Sequence, residues 1–337
     1  MTNTVFITGI LGQDGAYLAK FLLEKGYKVI GGKRRSSSPN DWRLKRLGIE
    51  KDVELVYFDF FDGSSIQRYL EKYKPTQVYN LAAQSFVECS FEMPIYTSNI
   101  DYTGVGVLLE SIRNVNNKIK FYQASSSEMY GKVQAIPQSE NTPFYPRSPY
   151  AVAKLAAHWI TVNYRESYDL HATSGILFNH ESPLRGEEFV TRKITTSLVK
   201  IKKNLQECLY LGNIDAKRDW GFAKEYVEAM YLMLQQQKPD DYVIATNNTH
   251  TVRYFCEKVS SFLGWDLQWR GTGQFEEGFC SKTGKVLIKI DPSLYRKAEV
   301  DLLLGDPSKA KHKLGWQANT KIDELAQIMT EADMYYC

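Results

Sequence analysis

The sequence predicts an α/β fold built on a doubly wound parallel sheet, with a smaller C-terminal domain attached. Three observations predict it. The first half alternates short β-rich runs with helical segments. Gly9, Gly12 and Gly15 fall between the first strand and the first helix. After Asn179 the alternation fades into a helix-rich pattern. Alternation of this kind means a parallel sheet covered on both faces, and right-handed crossovers then put ligands beyond the carboxyl ends of the strands.

Taken in order, Thr4–Thr8 reads as a buried strand and residues 15–25 as a helix with Leu18, Phe21 and Leu22 on one face, ended by Gly26. Residues 28–31 form the next strand. Further strands are expected at 53–58, 77–81, 120–124 and 172–178, with helical stretches between them. In the second half, Val190–Lys202 and residues 223–236, 252–263 and 322–335 read as helices. Val286–Ile290 reads as a short strand, and residues 242–246 as a strand free to return to the main sheet. The expected division is a dinucleotide-binding domain over 1–178 and a substrate-binding domain over 179–337, partly interleaved.

At 337 residues the chain is long enough for one large α/β unit or two smaller domains with full cores. Apolar residues at 43% and charged residues at 24% are ordinary for a soluble globular protein. The net charge of +3 is nearly balanced, and the densest basic cluster, Lys33-Arg34-Arg35, is too short for a nucleic-acid surface. No apolar run reaches the ~20 residues of a membrane span, and the N-terminus enters Val5-Phe6-Ile7 rather than a signal peptide. Cys89, Cys208, Cys256, Cys280 and Cys337 are scattered without C-x-x-C spacing, which suits reduced thiols in a cytoplasm and supports neither zinc nor a disulfide framework.

The three glycines have the spacing G-x-x-G-x-x-G, which lets backbone N–H groups and a helix N-terminus approach a pyrophosphate. An acidic residue ~20 positions further on would bind the ribose hydroxyls of NAD, whereas arginine suits the 2′-phosphate of NADP. The chain there reads Gly31-Gly32-Lys33-Arg34-Arg35-Ser36-Ser37-Ser38, with cations and hydroxyls and no carboxylate, so NADP is the expected cofactor. Asp59 and Asp62 follow the third strand, where an acid can meet the adenine. Asn80-Leu81-Ala82-Ala83-Gln84-Ser85 ends the fourth with small residues that let backbone pass close to a cofactor. Simple turns account for both patterns equally well.

Y-x-x-x-K is weak alone, and Tyr254/Lys258 satisfies it as well as Tyr150/Lys154. Context separates the two. Pro146 and Pro149 precede Tyr150, its helix runs on through Ala157 and Ile160, and Ser125-Ser126-Ser127 lies upstream. Four residues apart on a helix, Lys154 shares a face with Tyr150, so its ammonium can lower the phenol pKa and let tyrosinate act as a base. Ser126 would orient the reacting hydroxyl. Glu128 adds an acid/base that plain alcohol oxidation does not need: proton removal beside a new ketone, then protonation of a departing hydroxyl.

With these residues in view, the chain resembles the GDP-mannose 4,6-dehydratases, extended members of the short-chain dehydrogenase/reductase superfamily. The likeness covers residues 8–15, 34–38, 150–154, 159–166, 178–183, 189–193, 212–220, 226–230 and 300–311. It implies an extended Rossmann fold, bound NADP, a GDP-sugar substrate and a homo-oligomer of dimers pairing into a tetramer. By the same resemblance Tyr150 is the base, Lys154 its modulator and ribose ligand, Glu128 the acid/base, and Ser126 takes a place usually held by threonine. Implied cofactor contacts are Thr8, Gly9, Gly12, Gln13, Asp14, Gly15, Arg34, Arg35, Ser36, Asp59, Phe60, Leu81, Ala82, Ala83, Ser85, Tyr96, Lys154, His180 and Arg185. Implied substrate contacts are Ser85, Glu128, Asn179, Val190, Lys193, Arg218 and Arg253, the cations neutralising the diphosphate.

The chain departs from the family pattern at Leu184, where arginine is usual, at Pro39, Asp41 and Trp42, and at Asn247-Asn248. Leu184 is expected beside the sugar and cofactor, which keeps a related GDP-manno-heptose open beside GDP-mannose. An NADP-dependent epimerase or 4-reductase would use Tyr150 and Lys154 without an acid at 128. Glucose-type dehydratases carry two adjacent acids where this chain has Ser127-Glu128. A non-catalytic NADP-binding sensor would be expected to lose Ser126, Tyr150 or Lys154, and all three are present.

Overall fold

The computed structural model describes residues 3–295 and 302–337; Val300 and Asp301, at the head of one stretch that carries the resemblance, lie outside them. Seven strands form the main sheet: β1 (Thr4–Thr8), β2 (Lys28–Lys33), β3 (Glu54–Tyr57), β4 (Gln77–Asn80), β5 (Lys120–Ser126), β6 (Ala172–Leu177) and β7 (Asp241–Ile244). Their spatial order is β7-β6-β5-β4-β1-β2-β3, and every neighbouring pair is parallel. The order reverses between β1 and β4, which opens a crevice above their carboxyl ends.

Strand periodicity sorts the apolar residues onto two faces. Val5, Ile7, Tyr79 and Tyr122 pack with Leu18 and Leu22 of helix Gln13–Glu24 and with Ala229 and Met230 of helix Ala223–Gln235. Phe6, Val78 and Phe121 face the other way, onto Ile66, Leu70, Leu108, Leu109 and Ala157. Each large side chain buried in this way contributes roughly 1.5–3 kcal/mol, so both faces hold the sheet.

Two strands run past their expected ends. β2 continues to Lys33, and β5 continues to Ser126, which pairs with Leu177 at the sheet's edge over the crevice. The strand expected at 242–246 does return to the main sheet, pairing along β6.

Helices Val190–Lys202, Val252–Phe262 and Ile322–Tyr336 build a second core around Ile194, Leu198, Phe255, Val259, Leu325 and Met329. Against it lies a four-stranded sheet of Leu267–Arg270, Glu277–Cys280, Val286–Ile290 and Leu209–Leu211. Only Val286–Ile290 was expected from sequence. Strands of three or four residues are shorter than the window over which periodicity can be read. No helix among the described residues is long and apolar enough to cross a membrane.

Candidate active site

A cleft of about 450 Å³ opens over the carboxyl ends of the main strands. Its floor is the glycine turn. Gly9 has φ +68°, and a Cβ there would lie 2.7 Å from the Ala82 nitrogen; one on Gly15 would lie 2.3 Å from the Gly9 carbonyl. Both glycines are therefore required by backbone contact, and the cradle they leave fits a pyrophosphate at the N-terminus of helix Gln13–Glu24. Gly12, Leu81, Ala83 and Ser85 line the same wall.

Thr8 and Ala82 do not line the cleft. Thr8 is buried; its hydroxyl donates to Asn80 Oδ1 at 2.6 Å and accepts from the Leu81 and Ala82 N–H groups, so it staples β1 to the end of β4.

Gln13 and Asp14 latch the turn onto the second half of the chain. Gln13 donates to the His180 carbonyl at 3.0 Å and accepts from the Ser182 hydroxyl at 2.7 Å. Asp14 Oδ2 lies 2.8 Å from His180 Nε2, while His180 Nδ1 lies 2.7 Å from the Phe178 carbonyl. Both ring nitrogens face acceptors, so His180 is held as an imidazolium. Burial alone would lower its pKa, but the Asp14 charge and hydrogen bond outweigh burial and raise it. Burial likewise opposes ionisation of Asp14, and the His180 charge overcomes it, leaving that carboxyl below its usual range.

Ser148 caps helix Pro149–Tyr168 by accepting from the Ala151 N–H, and Pro149 occupies the first turn. This fixes Tyr150 at the helix start and Lys154 one turn later. Both are buried, with the ammonium 5.8 Å from the phenol ring centre and donating to the Ala124 carbonyl at 3.0 Å. Burial pushes the Tyr150 phenol up strongly, and the charges of Asp101 and Glu128 add to this. The Ser126 hydroxyl, hydrogen-bonded to the phenol, and Arg185 pull the other way. Burial lowers Lys154, opposed by Asp101 and Asp14. Ser126 Oγ accepts the Glu128 N–H at 3.2 Å and so caps the short turn Ser127–Met129 that sets Glu128 on the cleft wall.

On the far side, Asn179, His180, Arg185, Val190, Lys193 and Arg218 line the cleft. The Arg185 guanidinium lies 3.6 Å from the Phe189 ring centre and pairs with the buried Glu181. Burial pulls the Lys193 ammonium down, with Asp291 opposing. Phe86 and Phe189, which the sequence did not single out, meet edge to face in the wall.

Several expected residues lie elsewhere. Arg253 does not reach the cleft: its guanidinium is held between Asp215 at 2.9 Å and Glu276 at 2.6 Å, above Trp269. Two carboxylates compete for it, which a motif cannot reveal. Leu184 is not beside the cleft either. It is buried in the core, and its carbonyl accepts from Arg43 at 2.7 Å. Arg34, on the exposed segment beyond β2, bonds the Tyr96 hydroxyl, and Arg35 bonds the Ser36 carbonyl. Asp59 accepts from the Phe61 N–H and Phe60 is buried, so neither of these lines the cleft. Tyr254 and Lys258, the other Y-x-x-x-K pair, both bond Asp323 and so tie two helices of the second core together.

A glycine turn at the sheet's point of reversal, with serine, tyrosine and lysine converging on the same edge, defines a Rossmann-type enzyme of the extended short-chain dehydrogenase/reductase class. Solved structures share the fold. A UDP-glucose 4-epimerase with UDP-glucose from Thermotoga maritima superposes with a TM-score of 0.82 at 24% identity over 98% of both chains. A dTDP-glucose 4,6-dehydratase from Bacillus anthracis in complex with NAD gives 0.81 at 20% identity over 98% of this chain and 96% of that one. Within the class, the family described as GDP-mannose 4,6 dehydratase matches residues 6–329, and the chain belongs to it. It is 53% identical to the human GDP-mannose 4,6 dehydratase, over 98% of this chain and 91% of that protein. It is 52% identical to the GDP-mannose 4,6-dehydratase of Sinorhizobium fredii, over 99% and 97%.

Proposed function

We propose that this protein converts GDP-mannose to GDP-4-keto-6-deoxy-mannose, a hydro-lyase reaction with internal hydride transfer. The observation that carries the reading is the convergence of Ser126, Glu128, Tyr150 and Lys154 on one cleft, in a chain of this family. NADP is the proposed cofactor, held at the glycine cradle, with Arg34, Arg35 and the serines after them offering cations and hydroxyls to a 2′-phosphate. When bound there, it would supply a reversible hydride acceptor for the sugar's carbons 4 and 6.

The chain's own residues do the rest. Tyr150 removes the carbon-4 hydroxyl proton, Ser126 holds that hydroxyl, and Lys154 favours the tyrosinate. Glu128 then takes the carbon-5 proton and delivers a proton to the departing carbon-6 hydroxyl, so one carboxyl serves as base and then acid, and the proton left on Tyr150 goes to carbon 5 as hydride reaches carbon 6. Lys193 and Arg218 are proposed to neutralise the diphosphate.

An epimerase or 4-reductase would leave Glu128 on the wall without a task, and Leu184, the departure that kept the heptose open, is buried in the core and does not line the cleft. Residues 1–178 are proposed to hold the cofactor and 179–337 most of the sugar nucleotide. The protein is further proposed to be cytoplasmic and to work as a dimer or tetramer. Incubating the pure protein with GDP-mannose and following water loss by mass spectrometry tests the reading; a substrate returned unchanged, or epimerised without water loss, refutes it.

A further inference from the structure

The tip of β5 outruns one of its neighbours. β4 pairs with β5 only as far as Asn80 against Gln123, whereas β6 pairs with it up to Leu177 against Ser126. Ala124, Ser125 and Ser126 therefore have a strand on one side only, and this half-paired tip leads into the turn that carries Glu128. Backbone groups that lack a strand partner need another.

Helix Pro149–Tyr168 packs on this strand and supplies those contacts from side chains one turn apart. Lys154 donates to the Ala124 carbonyl at 3.0 Å, where Gln123 Nε2 also donates at 3.1 Å. One turn further along, His158 Nδ1 lies 3.2 Å from Ser125 Oγ, and the two share a buried hydrogen bond. His158 is only 4% exposed. Its ring meets Phe144 edge to face at 5.6 Å, and Phe144 packs on the buried Tyr130 at 5.0 Å. Burial lowers the His158 pKa against the opposing Asp241 charge, with Arg165 adding to burial, so the ring meets the hydroxyl as a neutral imidazole. Neither His158 nor Ser125 moves a proton in the proposed reaction.

We propose that His158 is a positioning residue for the oxidation step: by holding Ser125 it fixes the β5 tip against the helix, and so sets Ser126 relative to Tyr150 and Lys154. The proposal rests on the reading of those three as the oxidising set. Ser125 stands between two residues of that set's geometry. Ala124 before it carries the carbonyl that holds Lys154, and Ser126 after it is the ligand for the reacting hydroxyl. A shift of the tip moves both at once, and reacting groups tolerate little displacement, since about 1 Å can cost ~100-fold in rate. Loss of one neutral hydrogen bond, with the strand still paired to β6, is a smaller disturbance than that.

Two variants separate positioning from packing. His158→Phe keeps the ring and loses the hydrogen bond, whereas His158→Asn loses the ring and keeps a polar atom on Cγ where Nδ1 stood. With GDP-mannose as substrate, His158→Phe should lower kcat about three- to tenfold and leave KM unchanged, and His158→Asn should recover most of the loss. A packing role predicts the reverse order. An unchanged kcat in His158→Phe, or His158→Asn no faster than His158→Phe, overturns the proposal. The second measurement uses ligand-free protein with 15N-labelled lysine, in which the Lys154 ammonium signal is assigned by its loss in Lys154→Met. That signal should shift in His158→Phe and return toward its wild-type position in His158→Asn. A signal that His158→Phe leaves in place also overturns the proposal. If His158→Phe does not fold, Ser125→Ala removes the same hydrogen bond from the strand side, and the same two measurements decide. The lysine signal needs no substrate. Wild-type protein that returns GDP-mannose unchanged would therefore fail the dehydratase reading, while the signal still decides whether His158 positions Lys154.

Discussion

Asp14→Asn tests whether the latch between the glycine turn and the second half of the chain is an ion pair. Asp14 and His180 are mostly buried, with side-chain exposures of 20% and 11%. Breaking a buried pair and stranding its partner costs about 3–5 kcal/mol. His180, however, can release its proton, and the new amide can then donate to Nε2. The loss is therefore closer to that of one charged hydrogen bond, about 2–3 kcal/mol. At the size of this chain that is a fall in thermal midpoint of roughly 3–4 °C.

The direction with pH follows from the two shifts. His180 is raised in the fold, so its contribution is complete below about pH 6.5 and is lost as pH climbs through the raised value. Asp14 is lowered, so its contribution holds above about pH 4 and is lost as pH falls through the lowered value. The gap between wild type and Asp14→Asn should be widest at about pH 5–6. It should narrow once pH passes the raised His180 value, where a neutral imidazole faces a carboxylate in the wild type and an amide donor in the variant. Differential scanning calorimetry at pH 5.5, 7.0 and 8.5 measures the gap. A gap independent of pH would refute the imidazolium assignment and leave an ordinary neutral hydrogen bond in its place.

Glu128→Gln removes the proton acceptor while keeping shape and hydrogen bonding, so it should still oxidise carbon 4, seen as NADPH absorbance, yet release little 4-keto-6-deoxy product; full product formation would sink the role given to Glu128. Tyr150→Phe should give neither absorbance nor product, and a rate near wild type would remove Tyr150 as the base. Arg218→Ala should weaken GDP binding by about 1.5–3 kcal/mol in a calorimetric titration without releasing NADP, and unchanged affinity would count against a diphosphate contact. Denaturing the purified protein should release NADP; recovery of NAD alone would reverse the reading of Arg34 and Arg35.

What could be read from sequence was chemistry carried on short spacings. Gly9, Gly12 and Gly15 announced the turn because a strand and a helix flank them, and Tyr150 and Lys154 announced a shared face because helix geometry guarantees it. What could not be read depends on partners far away in the chain. Arg253 resembles a diphosphate ligand until Asp215 and Glu276 are seen on either side of it. Leu184 resembles a lost pocket cation until its side chain is found in the core, with Arg43 reaching its carbonyl across 141 positions. Asp101 gives no signal at all, since one aspartate in an amphipathic stretch resembles any other until the π-helical turn Asn99–Thr103 buries it against the Gln84 N–H.

The same distinction bears on how the site is held. The proposed catalytic side chains come from β5, the short turn Ser127–Met129 that follows it and helix Pro149–Tyr168, and β5 and the helix are anchored in the main core. The far wall is joined to the glycine turn by polar contacts, Gln13 with His180 and Ser182 and Asp14 with His180, each spanning more than 160 positions. Apolar packing varies little with pH or bound charge, whereas an ion pair responds to both. The latch is therefore the part of this cleft most open to tuning by an anionic ligand. Asp14, His180 and Arg185 line the same cleft as the Tyr150–Lys154 pair, so charge brought to the cradle acts on both. A ligand-dependent change in the His180 titration, followed by histidine NMR as GDP and then NADP are added, should accompany binding at the cradle. If His180 titrates identically in free and NADP-bound protein, the latch is only a fold element and has no part in sensing the cofactor.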